Sequence, residues 1–413
     1  MNDYVRLDEC CQIELSSIDK KSKSSEKSVN LCNFTDVYYN WNIYSSMIDG
    51  FMEATASDKN INTFSLKKGD VVVTKDSETR DDIGMAALVY EDLPNTVLGY
   101  HCALIRPNDD IDSAYLNAYL NSYLGRKHFR NQASGSGQRY TLTKEGLGSI
   151  KIPIIPMNMQ KKIGALFSNI DKKIQNNNQS IADLEAMAKL IYDYWFLQFE
   201  FPNEKGKPYK SSGGKMTWND ELKREVPEGW SVIKFGLIAD FIKGKIPYTG
   251  LSSEKNEINS EPYITIDVAN GAKPMYCNQE KLIPLKGETI MVMDGAASGD
   301  VYIGNHGVLG STFSKIISKR NDVSDALIYM LLNSYSVVYK KANTGSTVPH
   351  ANPDFIKQMS IVIPKDCSNI SLQFTTLFKK VENCRKENQK LTSLRDFLLP
   401  MLMNGQVTFK EEA

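Results

Sequence analysis

Two segments rich in glycine and serine carry the side chains best suited to paired hydrogen bonding. Residues 134–139 read SGSGQR, and residues 344–350 read TGSTVPH. The amide of Gln138 and the guanidinium of Arg139 have head groups that form bidentate hydrogen bonds with adenine and guanine. Glycines beside them let the backbone come close to an anion such as phosphate. These residue types predict binding chemistry on two separate loops.

No complete catalytic motif accompanies these loops. Residues 352–355 (NPDF) look similar to the Asn/Asp-Pro-Pro-Tyr/Phe motif with which adenine methyltransferases hold a flipped base, but the second proline is missing. The sequence contains no GxxxxGK[ST] phosphate loop. A nuclease metal site needs clustered carboxylates with a lysine on a strand, and only Lys357 lies near Asp354. We therefore expect a non-catalytic chain with no metal and no cofactor of its own.

The composition is that of a globular chain with room for two or three domains. Its 413 residues are 41% hydrophobic and 24% charged. No apolar run approaches the roughly 18 residues of a membrane span, and the charged N-terminus does not resemble a signal peptide. The seven cysteines include no CxxC pair, which favours reduced, buried thiols. The expected location is the cytoplasm, with no membrane contact.

The formal net charge is zero. A chain that grips nucleic acid alone usually carries an excess of lysine and arginine, because these side chains neutralise the phosphates. Two interpretations therefore stay open at this point. Either nucleic acid is not the ligand, or partner proteins supply much of the phosphate contact.

The second half of the chain repeats the first. Residues 99–153 align with residues 310–364 at a constant offset of 211, and an Ile-Pro pair closes both copies. Upstream, KGD at 68–70 matches KGE at 286–288, and in each copy an apolar run and then an aspartate (Asp76, Asp294) follow. Both copies also contain a helix-like stretch, at 114–129 and 326–341, and residues 263–266 and 301–303 are strand candidates. The shared order predicts a duplicated β-rich domain with a few helices.

A longer period follows each copy. Apolar positions from Ile163 to Trp195 step alternately by four and three residues, which indicates a coiled-coil seam of more than four heptads. Residues 374–398 repeat this pattern less regularly. Asn177 and Asn388 occupy equivalent seam positions, where an asparagine lowers stability but fixes register. We hypothesise that the two helices pack antiparallel within the chain; the alternative is two separate core helices.

These patterns predict an α+β fold with pseudo-twofold symmetry, in which two β-rich domains are joined by two long antiparallel helices (an intramolecular coiled coil). The expected segments are 1–153 for the first domain, 154–200 for a central spacer helix, 201–228 for a polar linker, 229–364 for the second domain, and 365–413 for a distal spacer helix and C-terminal tail.

Four segments, taken in order, carry a family resemblance. They are VPEGW at 226–230, GKIP at 244–247, the Ile-Pro pairs at 152–153 and 363–364, and the stretch from 195 through 215. Together they resemble the specificity subunit of type I restriction–modification enzymes. The order of recognition domain, central helix, recognition domain and distal helix is also that of the family, over nearly the whole chain.

The resemblance implies a function and a set of partners. Each target recognition domain would read one half of a bipartite site in double-stranded DNA, and the helices would set the gap between the halves. Two methyltransferase subunits would dock on the chain, and motor–nuclease subunits would complete the restriction enzyme. The methyl donor and ATP would belong to those partners. The alternative is a protein-interaction scaffold of duplicated β-rich modules that binds no DNA, which the neutral charge would suit.

Base-reading side chains usually come from loops and helix ends. In the first domain the predicted DNA contacts are Lys75, Arg80, Gln138, Arg139 and Tyr140. In the second domain they are Lys243, Lys245, Tyr248, Ser298, Ser346 and His350. Ordinary solvated loops are the alternative for each. The predicted spacer seam comprises Ile170, Ile174, Asn177, Ile181, Leu184, Asn388 and Leu391.

Overall fold

The computed structural model describes residues 3–248, 250–345 and 348–409, and the chain divides into two compact units. The first unit combines Met1–Asn176 with Glu387–Ala413, and the second is Asn177–Lys386. Each unit therefore contains one β-rich domain and a segment of both long helices. The mixture of helix and sheet confirms the predicted α+β class.

A five-stranded sheet forms the centre of the first unit. Its strands lie in the order Cys11–Leu15, Cys102–Pro107, Val71–Thr74, Ala86–Val89 and Asn42–Ile43. Val71 and Val73 face a core that includes Leu116 and Phe129, whereas Val72 faces a second core. Because side chains alternate along a strand, a strand that is covered on both faces is apolar at every position. This explains the uninterrupted valine run.

The second core of this unit lies against a three-stranded sheet of Met52–Ala56, Lys27–Cys32 and Thr96–Leu98. Asp3–Arg6 pairs with Lys151–Ile154. The shorter helices are Leu7–Cys10, Phe34–Tyr38, Asp58–Phe64 and Lys144–Gly148, with a 3₁₀ turn at Ser45–Gly50.

The helix predicted over 114–129 is two helices, Ser113–Asn121 and Tyr123–Gln132. Ser122 separates them: its hydroxyl donates to the Tyr119 carbonyl at 2.7 Å and accepts from the Gly125 amide at 3.4 Å. A serine side chain competes with the helical hydrogen bonds in this way and favours a cap. The periodicity of the apolar residues does not reveal this break.

The second unit contains two four-stranded sheets. One has the order Ala239–Lys243, Phe313–Ser318, Ile290–Val292 and Val301–Tyr302; the other has the order Met275–Cys277, Glu261–Ile264, His306–Leu309 and Pro284–Lys286. Trp230–Lys234 pairs with Ser360–Pro364. The helices are Ile266–Ala269, Asp325–Lys340 and Pro353–Gln358, with a 3₁₀ turn at Phe235–Leu237. The strand predicted at 263–266 ends at Ile264, because the Thr265 side chain caps the following helix.

The segment expected to be a polar linker contains additional structure. Met216–Asn219 and Arg224–Pro227 form an antiparallel hairpin. Phe199, Val226 and Val362 form a small buried core beside it, and the rings of Phe201 and Trp230 stack at 5.0 Å. Apolar and aromatic residues within this mostly polar stretch therefore pack inside the second unit.

The two long helices are Met157–Tyr192, which continues into a π-helical turn at Asp193–Leu197, and Ser368–Met403. In the first unit, Ile163 and Phe167 share a core with Leu399 and Leu402. In the second unit, Tyr192 and Phe196 share a core with Ile370 and Phe374. The helix segments within each unit thus run antiparallel. Among the described residues, no helix is both long and apolar enough to cross a membrane.

Candidate nucleic-acid interface

A β-hairpin organises the candidate residues of the first unit. Ser134–Ser136 pairs with Arg139–Thr141, which in turn pairs with Asp76–Ser77. Gly135 has φ +127°, and a Cβ there would lie 2.1 Å from the Arg139 carbonyl oxygen, so the hairpin needs glycine at this position. Gly137 begins the turn with φ +70°. The Gly/Ser loop of the sequence is therefore a tight hairpin with Gln138 and Arg139 at its tip.

The hairpin brings the predicted contacts of the first unit together. Arg80, Gln138 and Arg139 are exposed, and Tyr140 is half-buried. The guanidinium of Arg80 lies 5.1 Å from the centre of the Tyr140 ring, a distance at which the positive charge is attracted to the ring face. We define the first hairpin surface as Arg80, Gln138, Arg139 and Tyr140.

Lys75 differs from these neighbours because its side chain is only 8% exposed. Its ammonium lies 3.0 Å from Asp76 Oδ2 and 4.2 Å from the centre of the Tyr100 ring. Asp76 Oδ2 also lies 3.0 Å from Nδ1 of His101. The predicted exposed lysine is thus a buried partner of an aspartate.

Asp76, Tyr100 and His101 were not among the predicted contacts. The aspartate could have been found from the repeat, since Asp76 and Asp294 follow the same apolar strand in both copies. Partial burial raises the pKa of Asp76, but hydrogen bonds from Thr141, His101 and Lys75 outweigh it, and the pKa lies below its ordinary value. The carboxylate is therefore ionised at neutral pH.

The second unit has a matching arrangement around Asp294. Lys243 Nζ lies 2.5 Å from Asp294 Oδ2, and His350 Nδ1 lies 2.8 Å from Asp294 Oδ1. The backbone of His350 is also paired antiparallel with those of Asp294 and Thr344. Partial burial raises the pKa of Asp294, but the hydrogen bonds from Lys243 and His350 outweigh it and lower the pKa.

Matching backbone hydrogen bonds show that the two aspartates are equivalent. The amide of Lys75 donates to the His101 carbonyl, and the amide of Leu142 donates to the Lys75 carbonyl. In the second unit, the amide of Met293 donates to the Thr312 carbonyl and that of Ala351 donates to the Met293 carbonyl. Each unit therefore joins its hairpin to the residue before the aspartate in the same way.

The remaining predicted contacts of the second unit divide into two groups. Lys245 and Tyr248 are exposed, Tyr248 at 89%. Ser298 is 3% exposed, and its hydroxyl accepts from the Asn343 amide at 2.8 Å, so it stabilises a turn and is closed to a ligand in this structure. Ser346 lies outside the described residues. We define the second hairpin surface as Lys243, Lys245, Tyr248 and His350.

The predicted seam residues of the long helices differ in burial. Ile170 and Asn177 are buried, and Ile174, Ile181, Leu184, Asn388 and Leu391 are half-buried. In the second unit, Arg385 binds Glu185 at 2.7 Å; in the first, Lys173 binds Glu387 at 3.2 Å. The two long helices thus combine buried or half-buried seam residues with exposed ion pairs between the helices, as coiled coils do. Among residues 3–248, 250–345 and 348–409, no cluster of three or more His, Cys, Asp or Glu side chains is suited to a metal ion.

Comparison with known proteins decides the family. Residues 2–186 and 227–393 match the family described as "Type I restriction modification DNA specificity domain". The chain belongs to this family. Members of the specificity family are the non-catalytic, DNA-recognising components of type I restriction–modification systems, and this chain is such a component, with two recognition domains.

Two relatives illustrate how far the similarity extends. The type I restriction enzyme MjaIX specificity subunit of Methanocaldococcus jannaschii is 26% identical over 381 residues, covering 87% of this chain and 83% of the relative. The HindI specificity subunit of Haemophilus influenzae is 23% identical, covering 83% of this chain and 87% of the relative. These matches confirm the family inferred from the sequence.

A solved structure shares the fold. The crystal structure of the type I restriction–modification system S subunit from M. genitalium aligns with a TM-score of 0.61 at 16% identity, covering 100% of this chain and 97% of that one. At this identity the likeness concerns the fold alone.

Proposed function

We propose that each hairpin surface contacts one half of a bipartite site in duplex DNA. The observation that carries this proposal is that both units present polar side chains from a hairpin at the same backbone position, but with different residues. Gln138 and Arg139 occupy the first hairpin, and His350 occupies the second. Two readers with different side chains should recognise two different half-sites.

The first hairpin surface has the chemistry of a major-groove reader. A two-stranded β-ribbon fits the major groove, where guanine presents two acceptors that a guanidinium can contact together. Arg139 is exposed at the hairpin tip. Arg80 lies against the Tyr140 ring, which limits the conformations of its side chain before DNA binds and so lowers the entropy cost of a contact.

We also propose that the long helices set the gap between the half-sites. Each long helix has 36 residues, which corresponds to about 54 Å at a rise of about 1.5 Å per residue. Duplex DNA of that length has roughly 16 base pairs at about 3.4 Å each. Asn177 and Asn388 would fix the register of the seam.

The proposed partners are duplex DNA, two methyltransferase subunits and motor–nuclease subunits, with the methyl donor and ATP bound by the partners. A net charge of zero supports an assembly in which other subunits contribute phosphate contacts. The proposed location is the cytoplasm, where such an assembly meets DNA.

Methylation sequencing tests this function. The chain is co-expressed with its cognate methyltransferase subunit in a host that lacks modification, and the modified sites are sequenced. We expect one bipartite motif. Arg139→Ala should relax one half of the motif and His350→Ala the other half.

The matched control is Lys20→Ala, which removes an exposed cation of the first unit outside its hairpin surface. This variant should leave the motif unchanged. A continuous motif, or one in which Arg139→Ala and His350→Ala alter the same half, would contradict the proposal.

A further inference from the structure

An aspartate holds one lysine and one histidine at the same backbone position in each unit. Asp76 contacts Lys75 and His101, both at 3.0 Å. Asp294 contacts Lys243 at 2.5 Å and His350 at 2.8 Å. Both aspartates stand two residues beyond the end of equivalent strands, Val71–Thr74 and Ile290–Val292.

The lysines and histidines around the two aspartates come from different places in the fold. Lys75 precedes its aspartate, whereas Lys243 lies on another strand and pairs with Ser314. In the first unit the residue equivalent to Ser314 is Ala103, and its strand partner is Leu15. The first unit therefore has a leucine where the second has Lys243. The residue of the second unit that is equivalent to His101 is Thr312, which is not a histidine. The histidine of the second unit, His350, is equivalent to Arg139 of the first hairpin. The equivalent aspartates therefore gather their lysine and histidine from unrelated positions, which indicates that the grouping itself matters.

A lysine and an imidazole that grip a carboxylate can also grip a phosphate, because both ligands present anionic oxygens. In the second unit these groups are accessible: the side chains of Lys243, Asp294 and His350 are 52%, 36% and 48% exposed. In the first unit Lys75 is buried. The competition between carboxylate and phosphate therefore concerns the second hairpin surface.

We infer that Asp294 is a specificity-determining residue that competes with DNA phosphate for Lys243 and His350. Non-target DNA gains little from these two groups, because each new phosphate contact costs a contact with the carboxylate. Target DNA adds base contacts, and these hold the duplex in place while Lys243 and His350 exchange the carboxylate for phosphate. Such a device raises discrimination through a repulsive element as well as attractive ones. The inference rests on the proposed function.

The test compares the full chain, assembled with its methyltransferase subunits, before and after Asp294→Asn. Binding is measured over a series of salt concentrations on two duplexes. The target duplex carries the bipartite motif that methylation sequencing identifies, and the non-target duplex lacks both half-sites. Release of Lys243 should add about one phosphate contact, so the slope of log affinity against log salt steepens by about 0.9. We expect non-target affinity to rise about three- to tenfold at low salt, with a smaller rise for the target.

Two further variants separate this mechanism from a general effect of charge or folding. Glu382→Gln is the matched control, because Glu382 also joins a histidine and a lysine, His306 and Lys386, and the charge change is the same. It should leave discrimination unchanged. Lys243→Gln added to Asp294→Asn should restore the wild-type salt slope, since the released cation is gone.

The outcomes distinguish this inference from the proposed function. If the wild-type assembly does not prefer the target duplex, the proposed function fails. If it does, but Asp294→Asn leaves the salt slope and discrimination unchanged or weakens target binding alone, the competition mechanism is overturned. An equal effect of Glu382→Gln would overturn it as well.

Discussion

The two aspartate clusters occupy the same place in the fold but differ in burial. The side chain of Lys75 is 8% exposed beside Asp76, whereas that of Lys243 is 52% exposed beside Asp294. Removing one partner of a buried ion pair lowers the stability of the fold strongly, because the other charge stays buried without a partner. An exposed ion pair contributes little to stability. We conclude that equivalent positions of a duplicated domain can serve stability in one copy and remain available to a ligand in the other.

The long helices show a second contrast of the same kind. Asp171 and Glu382 are separated by the repeat offset of 211. Asp171 is 4% exposed and accepts hydrogen bonds from Asn42 and Tyr44 at 3.0 and 2.9 Å. Glu382 lies nearer the surface and contacts His306. Burial raises the pKa of Asp171 to about 6. Although partial burial opposes them, hydrogen bonds from Lys386 and His306 lower the pKa of Glu382.

The largest expected effect concerns the buried cluster. Asp76→Ala leaves the Lys75 ammonium buried without its carboxylate and should destabilise the first unit by about 3 kcal/mol. Asp294→Ala should cost under about 1 kcal/mol, because its partners reach solvent. Hydrogen exchange at Val71–Thr74 and at Ile290–Val292 reports on each unit separately. Equal losses in the two units would remove the contrast.

The next effect concerns the backbone of the two hairpins. Gly135→Ala and Gly345→Ala place a Cβ 2.1 Å and 2.2 Å from carbonyl oxygens. Each should weaken binding to its own half-site about tenfold, through strain of about 1–3 kcal/mol. Methylation of duplexes altered in one half-site measures this. Gly50→Ala is the control, since its Cβ would meet nothing within 4 Å and its φ is not positive; a loss as large as that of Gly135→Ala would argue against hairpin geometry as the cause.

A smaller effect distinguishes the carboxylates of the long helices by pH. Because the folded pKa of Asp171 is about 6, above its ordinary value of 3.8, its contribution to stability is greatest at low pH and is lost as pH rises through about 6. Lowering the pH from roughly 7.5 to 5.5 should therefore stabilise the first unit by about 1 kcal/mol relative to Asp171→Asn. The groups facing Asp171 include Tyr44 and, from the second long helix, Arg395.

Glu382 should behave in the opposite way. Its pKa is lowered, so its stabilising contribution is present above the ordinary Glu value of 4.5 and is lost as pH falls below it. Chemical denaturation of wild type, Asp171→Asn and Glu382→Gln at several pH values measures how the contribution of each carboxylate to the free energy of unfolding changes with pH. If the difference between wild type and Asp171→Asn does not vary with pH, the buried carboxyl is not titrating as described.

The smallest expected effect concerns the exposed ion pairs of the long helices. Lys173→Gln breaks a pair with Glu387 and should change stability by under about 0.5 kcal/mol. Arg385→Gln should cost slightly more, because Arg385 contacts Glu185 and also donates to the Ile303 carbonyl. Thermal denaturation compares the stability of the two variants. A larger loss of stability from Lys173→Gln than from Arg385→Gln would contradict this prediction.

The sequence by itself determined the features that repeat along the chain. The α+β class and the long helices follow from patterns among neighbouring residues, because helical and strand periodicities are local. The offset of 211 and the family follow from short segments that recur, or occur in a fixed order, along the chain. The hairpins were indicated only as Gly/Ser loops, and the break at Ser122 was missed because a side-chain cap interrupts no apolar period.

The tertiary structure alone decided which polar residues are accessible. Residue type predicts Lys75 and Ser298 as contacts, yet both are buried. His101 was missed, although it contacts Asp76 across 25 positions of the chain. Whether a lysine is buried beside a carboxylate or exposed to solvent depends on strands brought together from distant parts of the sequence. No local spacing encodes that neighbourhood, so only the folded chain shows that the two aspartates hold the same partners in different surroundings.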